Sequence, residues 1–258
     1  MISDKQLVDS HMNRIQEIYE QYHLFNIRDI KRSPYREDPP IDTEYSNITR
    51  KARIKYGANY LRLYDEILFC SDEVMYFTAN LYLYRQFIND PLADAQYFGE
   101  GMIYPNLGTL HSKRYSMFAN IVGEKLYNFW DRLGDLLASF FPDQFNQDRV
   151  YFVDSVQKLP AEFRKGENYQ WLLDFSKNQY VQLNKIRKQT VHYFGVANIE
   201  RHEYLQIFRD KKAIEEWQTQ RLQWPDFYNE HIHLTLFGFQ KMLFLLQQIS
   251  ELRFSEIA

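Results

Sequence analysis

The chain has 258 residues, 45% of them hydrophobic and 17% aromatic, enough to enclose a substantial core. Thirty-one Lys and Arg against 34 Asp and Glu give a formal charge of -3, which excludes the global basic field of a sequence-independent nucleic-acid binder, so any polyanion site must be local. Nine glycines, about half the usual share of roughly 7%, argue against folds made of many tight turns and for long helices.

One cysteine, Cys70, excludes an intrachain disulfide and a cysteine-based zinc site, and is the usage expected of a cytoplasmic protein. Its setting, Ile67-Leu68-Phe69-Cys70, reads as packing. The first residues carry no apolar stretch of a signal peptide. The longest apolar run, Ile232 to Leu246, is interrupted by His233, Thr235, Gln240 and Lys241, so neither export nor a membrane span is expected.

Ser3 followed by Gln6 forms a capping-box pattern, and Leu7, Ile15, Ile18 and Tyr22 recur at helical spacing to about Leu24. Residues 31 to 42 hold three of the eight prolines, a connection rather than a helix. Thr43 to Ile88 contains no proline and only Gly57, with Ile54, Leu61, Leu68, Met75 and Tyr82 spaced by seven; this predicts one long helix bent near Ser71-Asp72. Residues 90 to 108, with Pro91, Gly99, Gly101, Pro105 and Gly108, form a lid or a crossover. Thr109 to Phe141 carries Phe118, Val122, Leu126, Phe129, Leu133, Leu136 and Phe140 on one stripe and ends at Pro142. Gln147 to Phe163 is a short helix or an irregular excursion. Glu167 to Phe194 and Glu200 to Gln223 are further helices, and Pro225 opens a last one running to Arg253. The expectation is one all-α domain over 1–258: an antiparallel helical bundle with additional N- and C-terminal helices.

The segment Asn184-Lys185-Ile186-Arg187-Lys188-Gln189-Thr190-Val191-His192-Tyr193-Phe194-Gly195 concentrates basic residues at a helix end. On a helix Lys185, Lys188 and His192 share one face, beside a stripe of Tyr180, Asn184, Arg187, Val191 and Phe194. Arg187-Lys-Gln-Thr-Val-His192 resembles the Arg-x4-6-His motif of the HEPN (higher eukaryotes and prokaryotes nucleotide-binding) superfamily, whose members are all-helical bundles. The resemblance implies a HEPN-like core over about 43–194, flanked by additional helices at 1–30 and 200–254. It also implies a metal-independent endoribonuclease or RNA-binding protein of a toxin or defence type, partnered by an antitoxin or another protein. In that reading Arg187 holds the scissile phosphate and His192 moves the proton. Lys188 stands where members often carry Asn, Asp or His. Asn184, Lys185, Lys188 and Tyr193 would contact single-stranded RNA, and Tyr180, Tyr193 or Phe194 could stack an unpaired base. Five residues at 100° each place Arg187 and His192 about 140° apart and roughly 7.5 Å along the helix. A site therefore needs a second copy of the chain across a two-fold axis, that is, a homodimer.

Two other classes compete. A catalytically silent helical interaction module would keep the fold alone. A metal-binding bundle would use Glu20-x-x-His23 and Glu230-x-x-His233, the spacing of di-iron carboxylate helices. His202-Glu203-x-x-Gln206 lacks the second histidine of a zincin. Without a phosphate loop, a dinucleotide glycine pattern or a serine elbow, the sequence calls for no cofactor. The repeated Asp65-Glu66 and Asp72-Glu73 pairs form a solvated flank or a counter-charge for Arg187 or a basic partner.

Overall fold

The computed structural model describes residues 3–32, 41–99, 101–105, 108–145, 150–192, 204–205, 207–208 and 210–256, with the side chains of 30–32, 98 and 186–192 outside that description. Of the described residues 77% are helical, with one two-stranded sheet among them, so the all-α expectation holds. No helix among the described residues is long and apolar enough to cross a membrane.

Among the described residues the helices with defined bounds are, in chain order, α1 (Asp4–Tyr22), α2 (Ile41–Tyr56), α3 (Tyr60–Arg85), α4 (Leu110–Ser139), α5 (Phe152–Gln157), α6 (Glu167–Lys177), α7 (Gln179–His192), α8 (Lys211–Leu222) and α9 (Trp224–Arg253). Short 3-10 turns lie at Ile27–Arg32 and Ala161–Phe163. The capping box at α1 forms as the sequence predicts: the Ser3 side chain accepts from the Gln6 N–H while the Gln6 side chain accepts from the Ser3 N–H at 2.9 Å.

Four expectations are corrected. The helix expected over Glu200 to Gln223 does not run through: Asp210 is extended (φ -106°, ψ 103°) and caps α8, which begins at Lys211. The helix expected over Thr43 to Ile88 is two helices, because Gly57 adopts φ 68° and ends α2, a left-handed conformation that favours glycine. Ile54 and Leu61, counted in its apolar stripe, are exposed. The helix expected from Glu167 to Phe194 is likewise two, with Asn178 (φ -113°, ψ -85°) between α6 and α7. Within residues 90 to 108, expected as a lid or a crossover without strands, β1 (Gln96–Phe98) and β2 (Gly101–Ile103) pair antiparallel, Tyr97 opposite Met102. Gly99 at φ 61° lies in the turn between them.

The chain divides into two compact units, each assembled from three stretches. The first comprises Met1–Leu24, Val74–Glu124 and Lys185–Glu230. In it Tyr115 donates to the Arg221 carbonyl at 2.7 Å and Tyr228 to the Ala119 carbonyl at 2.8 Å, so buried tyrosines satisfy backbone acceptors on neighbouring helices. Arg221, 1% exposed, donates to the Ser112 carbonyl and the Ser116 hydroxyl, its guanidinium over the rings of Tyr115 and Trp217. The second comprises Phe25–Glu73, Lys125–Asn184 and His231–Ala258. Its core is built on Trp130, whose ring lies 3.9 Å from Phe175 and 5.1 Å from Phe152. Of the predicted α4 stripe, Leu126, Phe129, Leu133, Leu136 and Phe140 lie in this unit and are buried. Tyr45 donates to the Tyr60 carbonyl at 2.7 Å and Tyr60 to that of Ser139 at 3.1 Å, tying α2, α3 and α4 together.

Candidate functional site

Helix α7 begins at Gln179 after the Asn178 break and is anchored through buried Tyr180 and Leu183. The Tyr180 ring stacks on Tyr127 with centroids 5.5 Å apart, and its hydroxyl donates to Asp131 at 2.8 Å. Burial and the Asp131 carboxylate hold its ionisation far above the ordinary tyrosine value. Tyr180 is thus committed to the core and cannot stack a base, which corrects that part of the sequence reading. One turn further on, Asn184 is half-buried, its Oδ1 enclosed without a hydrogen-bond partner, and Lys185 is exposed.

The helical backbone continues without interruption to His192. Arg187, Lys188 and His192 therefore ride on one helix, at the angular and axial separation of about 140° and roughly 7.5 Å that an α-helix imposes. Their side chains lie outside the described part of the structure, as does Tyr193 as a whole. An enclosed carbonyl oxygen without a donor carries an uncompensated desolvation cost at this point of the helix.

The residues of the metal reading are spread differently. His23 is the left-handed C-cap of α1 at φ 53°, and Glu20 accepts from Gln16 at 3.5 Å. His231, between Glu230 and His233 on α9, is 4% exposed, and burial lowers its pKa to about 4, which keeps it neutral near pH 7. No group of three or more His, Cys, Asp and Glu among the described residues is placed to hold a metal ion. Cys70 is buried and its thiol is pushed up to about 11, a packed and unreactive group.

The paired carboxylates of α3 have partners within the chain. Glu73 pairs with Lys125 at 2.7 Å, and Glu66 takes Arg62 at 2.9 Å and Arg132 at 3.4 Å. Arg132 reaches on to Asp135 at 2.6 Å, completing a chain of alternating charges along a groove of about 500 Å³ in the second unit. Burial drives Asp135 up to about 6 despite the guanidinium beside it, with Asp131 and Glu66 adding to the rise. Arg132 and Asp135 carry no sequence signal of their own, since their environment is set by Glu66, 66 and more positions away.

No protein-family model, no curated protein and no solved structure matches this chain.

Proposed function

We propose that the chain is a HEPN-type protein acting on RNA, a metal-independent endoribonuclease whose reacting groups are Arg187 and His192 of two copies in a homodimer. The observation that supports this reading is the unbroken course of α7 to His192 in an all-α chain, which sets the six-residue motif on the last turns of one helix. In the reaction the imidazole of His192 takes the proton of a ribose 2′-OH, the 2′-oxygen attacks phosphorus, and the bond to the 5′-oxygen breaks. The proton returns to that leaving oxygen, so the products are a 2′,3′-cyclic phosphate and a free 5′-OH. The Arg187 guanidinium binds the non-bridging oxygens as negative charge builds. Lys185 and Lys188 raise the local phosphate affinity, and DNA, lacking the 2′-OH, is spared.

The test is cleavage of single-stranded RNA by the purified protein in excess EDTA. Wild type is expected to cut, and His192→Ala to lose activity by at least about a hundredfold while remaining folded. Intact RNA with a wild-type protein that still dimerises would favour the silent interaction module. Activity that needs added metal would discard the mechanism.

A further inference from the structure

Within the first unit a groove of about 700 Å³ runs beside α1, α3 and the junction of α8 with α9. Its volume suits a small organic ligand. On one side the rings of Tyr22 and Tyr82 stack 3.7 Å apart at 14°. Tyr82 is fixed in place: its hydroxyl donates to Asp226 Oδ1 at 2.8 Å, and the Arg85 guanidinium lies 5.1 Å from its ring centre while pairing with Asp226 Oδ2 at 2.9 Å. Asp226, the carboxylate among the described lining residues, thus accepts one donor from the protein at each oxygen. Tyr22 is half-buried, so the stacked pair keeps aromatic surface within reach of a ligand. The other lining polar groups include the guanidiniums of Arg14 and Arg85 and the amide of Gln223. Arg14 spends one donor on Glu17 at 2.6 Å, and a guanidinium has five.

An ordered aromatic face, an amide able both to donate and to accept, and two guanidiniums in one cavity match three parts of a single chemical class. A planar heterocycle stacks on the ring, its edge bonds to the amide, and its phosphate meets the guanidiniums. A simple carboxylate would leave the aromatic face unused. We propose that this groove binds a nucleotide unit, with the base against Tyr22 and the phosphate at Arg14 and Arg85. The unit can come from a free mononucleotide or from one position of a single-stranded RNA. The inference is independent of the α7 motif, and its readout is binding, so loss of RNA cleavage would leave it standing.

The test titrates the full chain with AMP, adenosine, inorganic phosphate and a 2′-O-methyl adenosine hexamer, which 2′-OH attack cannot cut, by calorimetry and intrinsic fluorescence. AMP is expected to bind with a Kd below about 1 mM, with adenosine and phosphate each about tenfold weaker. Arg14→Gln, an exposed change on α1, should reduce AMP to the level of adenosine and leave adenosine unaltered. Tyr22→Leu should weaken AMP and adenosine alike by about tenfold, with melting curves confirming the fold. A hexamer that binds at least about tenfold more tightly than AMP and displaces it identifies RNA as the source; equal or weaker hexamer binding identifies the free nucleotide. Absence of AMP and hexamer binding at about 5 mM, phosphate binding as tight as AMP, or unchanged AMP affinity in Arg14→Gln would each overturn the proposal.

Discussion

A single methyl group at position 238 would test how tightly the second unit is packed. A Cβ built on Gly238 collides with Trp130 Cη2, comes within 2.7 Å of Trp130 Cζ3 and within 3.1 Å of Trp171 Cζ3. Trp130 is fully buried and ringed by Phe152, Phe175 and Trp171, so it has no open side to move toward. Gly238→Ala is expected to cost about 1–3 kcal/mol in denaturant unfolding. Trp130→Phe in the same chain should recover part of the loss, because the coupling runs through that one ring. A polar residue makes a second test. Burial raises Asp135 to about 6 from its ordinary 3.8, so the folded chain holds that proton more tightly than the unfolded one. The associated stability is fully present below the unfolded value and is lost as pH rises through about 6. Asp135→Asn should therefore melt higher than wild type at pH 8, by on the order of 1–2 kcal/mol after solvent screening in the groove. It should also flatten the fall in stability between about pH 4 and pH 6. A variant that melts lower at pH 8 would mean that the Arg132 pair outweighs the burial of the carboxylate.

Helix ends are where sequence reading succeeded or failed, and the reasons are local. Both ends of α9 were legible: Pro225 lies in its first turn and Arg253 is its last residue, as the proline and the apolar periodicity require. The start of α1 was legible because a capping box is a pattern of neighbours. The breaks at Gly57 and Asn178 were not. Gly57 has open space around it, so its role is a backbone angle and not a contact, and nothing in the flanking periodicity marks it. Strands β1 and β2 are three residues each, too short for alternation to register. The same distinction holds for the sites. The α7 motif is six consecutive residues and could be read directly. Tyr82, Arg85 and Asp226 meet across more than 140 positions, and only the fold brings them together. For α8 the local signal is Asp210, whose Oδ1 accepts from the N–H of Lys212 at 3.0 Å and of Ala213 at 3.2 Å. Asp210→Ala should cost about 1 kcal/mol. Hydrogen exchange is the sharper measurement, since α8 amides should exchange about fivefold faster while α9 amides are unchanged.

At the scale of the assembly, the proposed ribonuclease makes a demand on a second copy of the chain. An unbroken α7 separates Arg187 and His192 by about 140° around its axis, and in that proposal the guanidinium of one copy works with the imidazole of the other. A two-fold axis then creates two equivalent composite sites per dimer. Arg187→Ala and His192→Ala should each be inactive alone, because every site in either homodimer lacks one group. Mixed after dissociation and reassociation, half of the dimers contain one copy of each variant. In such a dimer one composite site has lost both groups, while the other retains the Arg187 of one copy and the His192 of its mate. Equal mixing should therefore restore roughly one quarter of wild-type cleavage, in a particle of twice the 31.4 kDa chain mass by light scattering. A mixture that dimerises yet stays inactive would place both reacting groups within one chain or require all four at once, and either result removes the composite site. A wild-type protein that sediments as a single chain while cleaving RNA would remove it more directly, since no mate would be present to supply the imidazole.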